Sequence, residues 1–107
     1  MKTDLSFLTQ LETIIQARLD YPAENSYTSA IAAEGGKRLA QKVGEEALEL
    51  ALASVAGDRR EQLEEAADLV FHLLVLLRSK GLSLGDVAAQ LSERHQQDIR
   101  GCDDAPR

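Results

Sequence analysis

This 107-residue chain is poor in the residues that usually anchor a small protein: it has one cysteine, no tryptophan, two tyrosines, two phenylalanines and two prolines. A single cysteine, Cys102 in a polar tail, excludes both a disulfide framework and a Cys-rich zinc site. No apolar run approaches the ~20 residues that span a bilayer, and the first residues do not read as a secretion signal, so a cytoplasmic protein without membrane contact is expected. Cationic residues are also scarce. Twelve Lys and Arg against eighteen Asp and Glu give a net charge of −6, which argues against nucleic-acid binding and makes a bare polyphosphate a poor ligand unless cations mediate. Strand-like alternation, domain-scale repeats and low-complexity linkers are missing as well. The expected fold is all-α, in one domain over residues 1–96, with residues 97–107 a disordered tail.

Helical periodicity fills the space. Leu5, Leu8, Leu11, Ile15 and Leu19 predict a first helix over about 4–20, ending before Pro22. Residues 21–36 read as an irregular connection with a short helical turn after Ser26, closed by Gly35-Gly36. Two long helices follow, over about 37–56 and 59–80. Gly81 ends the second, and Ser83-Leu84-Gly85-Asp86 reads as a capping box that opens a last helix near 84–97. Only Ala56-Gly57-Asp58 separates the long helices, with Gly57 suited to a C-cap and Asp58 to an N-cap, so they should form an antiparallel hairpin. Residues 69–77 are apolar on every side except at His72. A helix apolar all round needs cover all round, and one small chain cannot supply it, so the bundle is expected to be completed by a second subunit, as a homodimer at least.

Carboxylates interrupt this apolar pattern. Wound at about 100° per residue, Leu39, Val43, Glu46, Leu50 and Ala53 share one stripe, with Glu49 at its edge. On the next helix Glu65, Asp68, Leu69, His72 and Leu76 share a face. Folding back at Gly57 sets Glu49 level with Glu65 and Glu46 level with Asp68. Four carboxylates facing one another would repel and lose hydration, whereas a hard divalent cation with oxygen ligands turns them into a site. The expected cofactor is Mg2+, held by Glu46, Glu49, Glu65 and Asp68. Glu45, Glu61 and Glu64 point away from these stripes and read as a solvated face.

Other groups surround the cluster. Lys42, one turn before Glu46, is placed either to meet a phosphate or to neutralise carboxylates. His72, one turn after Asp68, reads as a core histidine bonded to that carboxylate. Gly35-Gly36-Lys37-Arg38 brings backbone N–H groups and two cations to a helix N-terminus, which suits phosphate although the full phosphate-loop pattern is missing. Arg94-His95 at the end of the last helix suits the helix dipole.

The segments Asn25-Ser26-Tyr27-Thr28, Lys42-Val43-Gly44-Glu45-Glu46-Ala47-Leu48-Glu49 and Glu65 to Val75 resemble the phosphoribosyl-ATP pyrophosphatase family of histidine biosynthesis. That family lies within the all-α, MazG-like nucleoside triphosphate pyrophosphatases, whose signature is EExxE followed by ExxD. The resemblance runs from about residue 5 to Arg94-His95. It implies magnesium-dependent hydrolysis of phosphoribosyl-ATP to phosphoribosyl-AMP and pyrophosphate in a helical dimer, with Glu46, Glu49, Glu65 and Asp68 as metal ligands. Within that chemistry Glu45 is expected to orient water, Lys42 to act beside the cluster, and Lys37, Arg38, Lys42 and Arg94 to contact phosphate. Ser26, Tyr27 and Thr28 would close over the substrate or serve as turn formers. Some members carry Tyr where this chain has Phe71. Many bacterial relatives are fused to a zinc-dependent cyclohydrolase, a domain this chain is expected to lack. A house-cleaning nucleotide pyrophosphatase would share the metal site and differ in its pocket. A non-catalytic helical module would have no use for the acids, and a di-iron bundle would carry Glu-x-x-His in their place.

Overall fold

A helix leaves backbone groups open at each end, and this sequence supplies a partner at nearly every one. The computed structural model describes residues 4–100, with side chains to 96. Among these residues it contains no strand, and its helices are α1 (Ser6–Asp20), α2 (Tyr27–Ala33), α3 (Gly36–Ala56), α4 (Arg59–Ser79) and α5 (Leu84–Arg100). Helix α1 opens two residues later than its periodicity predicts, because Asp4 stays outside and its carboxylate accepts the Ser6 N–H at 2.9 Å. The helical turn expected after Ser26 is a full short helix, capped by the Ser26 hydroxyl on the Ser29 N–H. Helix α5 opens on the expected reciprocal box, Ser83 Oγ to Asp86 N–H at 3.0 Å and Asp86 Oδ2 to Ser83 N–H at 2.9 Å. It continues to Arg100, so the first residues of the expected tail are helical, while 101–107 lie outside the described residues.

Two glycines set the ends of the long helices. Gly57 closes α3 with an extended backbone rather than a left-handed one. It is needed for space, since a Cβ there would stand 3.0 Å from both the Ala53 carbonyl oxygen and the Glu61 carboxylate. Asp58 caps α4 on the Glu61 N–H, and Gln62 Nε2 reaches back to the carbonyls of Ala53 and Gly57. At the far end of α4 Gly81 has φ 74°, and the bonds Leu82 N–H to Leu77 O and Gly81 N–H to Arg78 O make a Schellman end.

Helices α3 and α4, two residues apart in sequence, form the most extensive helix pair. Helices α1 and α2 cover α4 and the start of α3, and the core is Ile15, Ile31, Leu39, Leu74 and Val75, flanked by Leu8, Leu11, Leu19, Phe71, Leu76 and Leu84. The apolar run of α4 is therefore largely covered within the chain; only Val70 in it stays exposed. Uncovered apolar surface lies instead on Leu48, Leu52, Val55 and Leu63, with Val55 86% exposed. The sequence periodicity places Leu48, Leu52 and Val55 at i, i+4 and i+7, one stripe of α3 opposite its buried one. The radius of gyration, 15.9 Å, exceeds the ~13 Å of a compact domain of this length.

Leu74 is fully buried at the junction of α4 with the core cluster. Leu74→Ala should lower stability by about 3 kcal/mol, read as a shifted urea midpoint; a change below about 1 kcal/mol would contradict this packing.

Candidate functional site

On α3 the buried residues are Leu39, Glu46 and Ala53, the stripe read from the spacing. A carboxylate at 4% exposure needs compensation, and Glu46 receives it on one oxygen. Its Oε1 lies 3.0 Å from His72 Nδ1 and 3.8 Å from Lys42 Nζ. His72, itself buried, also places Nδ1 2.9 Å from the Asp68 carbonyl oxygen. A carbonyl only accepts, so Nδ1 carries a hydrogen, and Nε2 is hydrogen-bonded with the Tyr27 hydroxyl at 2.8 Å. The sequence expectation that His72 bonds the Asp68 carboxylate is corrected: its Nδ1 donates to the backbone oxygen of Asp68, the i−4 carbonyl on the same helix face, and stands 3.0 Å from the Glu46 carboxylate. Phe71 and Tyr27 pack their rings against the imidazole, at 5.2 and 5.6 Å between centroids.

Among the described residues no cation pairs with Glu49 or Glu65. Carboxylate oxygens from Glu46, Glu49 and Glu65 lie within 4.8 Å of one another. The Glu65 carboxyl is pushed up to about 7, chiefly by sharing a hydrogen bond with Glu49, then by desolvation and by the charges of Glu49, Asp68 and Glu46. Asp68 is exposed and stands outside this trio, contributing its charge from the rim. The structure thus brings together three of the four expected ligands. Three oxygen donors this close, with one holding its proton abnormally tightly, fit a hard divalent cation, which would relieve the repulsion. Beside them runs a groove of about 360 Å³ lined by Glu49, Leu52, Ala53, Ala56, Gly57, Glu61, Glu64 and Glu65. Glu61 and Glu64, read from sequence as solvated, line it because Glu61 sits one turn before Glu65 on α4 and Glu64 directly precedes it. Helical spacing alone could have shown that.

The remaining candidates divide. Glu45 is exposed and engaged by Gln41 Nε2 at 3.1 Å and by Arg38 Nη1 at 3.7 Å. Arg38 also pairs with Glu34 at 3.4 Å. Lys37 is exposed on the first turn of α3. The Ser26 hydroxyl serves as the cap of α2, Thr28 is buried beneath it, and Tyr27 exposes half its ring while its hydroxyl bonds His72. Arg94 lies inside α5, not in its last turn, and lines a separate groove with Leu82, Asp86, Val87, Gln90 and Leu91.

The acids therefore play two roles, and substitution should separate them. In chelator, Glu46→Gln weakens the hold on His72 and Lys42 and should cost about 1–3 kcal/mol. Glu49→Gln removes repulsion and should leave the melting temperature unchanged or higher. For Glu65 the folded carboxyl at about 7 lies above its ordinary 4.5, so its stabilising effect is present at low pH and is lost as pH rises through that window. Glu65→Gln should therefore gain stability relative to the unsubstituted protein between pH 5 and 8. A difference in melting temperature that stays flat, or reverses sign, would contradict the coupled trio.

The family model described as phosphoribosyl-ATP pyrophosphohydrolase matches residues 8–95, a span that contains every member of the trio. Relatives named histidine biosynthesis bifunctional protein HisIE include that of Photobacterium profundum, 50% identical over 93 residues (87% of this chain and 45% of the relative). That of Pasteurella multocida is 51% identical over 92 residues, covering 86% of this chain and 46% of the relative. The Vibrio parahaemolyticus protein is 47% identical over 95 residues, or 89% and 45%. The chain spans about half the length of the curated relatives it matches. With the match covering most of its length, the chain belongs to the phosphoribosyl-ATP pyrophosphohydrolase family.

Proposed function

We propose that this chain hydrolyses phosphoribosyl-ATP to phosphoribosyl-AMP and pyrophosphate in the cytoplasm, with Mg2+ held by Glu46, Glu49 and Glu65 and with Asp68 joining them from the rim. The observation that carries this reading is the close carboxylate trio inside the family-matched span. Bound magnesium would neutralise charge developing on the phosphate oxygens and make a bound water more acidic. The chain's own residues do the rest. Glu45, adjoining the trio without facing it, orients the attacking water. Arg38 exchanges Glu34 and Glu45 for a phosphate, and Lys37 and Lys42 add charge along the same helix. Arg94 would contribute from α5, and Ser26, Tyr27 and Thr28 at the substrate side of α2. With a net charge of −6 the chain repels the substrate, so the cation is also a condition of binding.

The same reading includes architecture. The two-residue link and extensive packing of α3 on α4 support an antiparallel hairpin. The uncovered Leu48, Leu52, Val55 and Leu63, with the expanded radius of gyration, support a second copy as the missing cover.

Pyrophosphate release should be faster from phosphoribosyl-ATP than from ATP or dUTP, and chelator should abolish it. Glu49→Ala and Glu65→Ala should each lower turnover by about 10²-fold or more, and Asp68→Ala by less. Equal rates on ordinary nucleotides would favour a house-cleaning enzyme, and near-normal rates from the Ala variants at limiting magnesium would remove the site assignment. Light scattering at micromolar concentration should show a dimer or larger, weakened by Val55→Glu. A folded monomer would contradict the proposed assembly.

A further inference from the structure

All the compensation that Glu46 receives falls on one atom. His72 Nδ1 and Lys42 Nζ both approach Oε1, and among the described residues no hydrogen bond or ion pair is made by Oε2. His72 is in turn held from three sides. The Asp68 carbonyl fixes the hydrogen on Nδ1, the Tyr27 hydroxyl occupies Nε2, and the rings of Phe71 and Tyr27 confine the imidazole plane. Tyr27 lies in the first turn of α2, Glu46 at the middle of α3 and His72 on α4, so a hydrogen bond from Tyr27 and a 3.0 Å contact of His72 with Oε1 link three helices at a single carboxylate oxygen. A carbonyl only accepts, hence Nδ1 donates to the Asp68 oxygen while standing 3.0 Å from Glu46 Oε1, and Nε2 is bonded to the tyrosine hydroxyl.

We infer that Tyr27 and His72 are a positioning pair that locks the Glu46 carboxylate in one rotamer and turns its free oxygen, Oε2, toward Glu49 and Glu65. This rests on the reading of the trio as a cation site. Neither residue touches the cation in this arrangement. Holding a carboxylate ligand through its second oxygen preorganises the site and raises its affinity, an effect worth about 10–100-fold where such supporting partners have been removed. Glu49 and Glu65, with no donor of this kind, are free to spread apart until a cation draws them in. Glu46 is then the fixed member and the other two the adjustable ones.

The test is Mn2+ binding to the substrate-free protein, followed by electron paramagnetic resonance, with Mg2+ as competitor. Tyr27→Phe keeps the ring packing and removes only the hydroxyl; it should weaken binding about 3- to 10-fold. His72→Leu should weaken it about 10- to 100-fold. His72→Asn, which retains a donor near the Nδ1 position, should recover a large part of that loss. Glu49→Gln, the control for the site itself, should weaken binding more than any of these. With substrate present, the loss in Tyr27→Phe should also raise the magnesium concentration needed for half-activation. Should His72→Leu fail to fold, the Tyr27→Phe and His72→Asn results decide the matter. Unchanged Mn2+ affinity in Tyr27→Phe and in whichever His72 variant folds, together with loss in Glu49→Gln, would overturn the pair while leaving the site intact. Unchanged affinity in Glu49→Gln would overturn the metal-site reading instead.

Discussion

Burying one carboxylate constrains everything around it. Glu46 sits at 4% exposure in the middle of the stripe α3 turns inward, where an uncompensated charge would cost several kcal/mol. Lys42 and His72 offset that cost, and because His72 belongs to α4, the compensation also sets how α3 and α4 meet. Glu49 and Glu65 are brought to the same place with no paired cation among the described residues, and the proximity raises the Glu65 carboxyl. One acid is compensated within the fold and two face each other at the groove.

Most of this organisation was legible in the sequence, because helical spacing and capping residues are local signals. The carboxylate stripe, the Gly57-Asp58 junction and the Ser83-Asp86 box all follow from residues within a turn or two of one another. What was illegible depended on contacts between distant segments. The bond of Tyr27 to His72 joins residues 45 apart, and spacing on one helix carries no information about it. The partner of His72 was misread for a related reason: its own i−4 carbonyl competes with carboxylates, and the winner depends on how far each side chain leans. Asp68, level with Glu46 by counting from the turn, stands outside the trio, since equal distance from a junction fixes height along a helix pair but not angle around it.

The apolar pattern was read in kind and misplaced in position. Residues 69–77 look uncovered as a sequence, yet α1 and α2 supply most of their cover, and the unburied surface moves to the outer stripe of α3 and to Leu63.

If the trio is a cation site, its metal-free form holds on Glu65 a proton that a bound metal would displace. Calorimetric titration of the substrate-free protein with Mg2+, repeated in buffers of different ionisation enthalpy, tests it most directly. Below pH 7 binding should release up to about one proton to the buffer as the metal displaces it from Glu65, and well above pH 7 it should release almost none. Binding that needs more than tens of millimolar Mg2+, or that releases no proton at pH 6, would contradict the account.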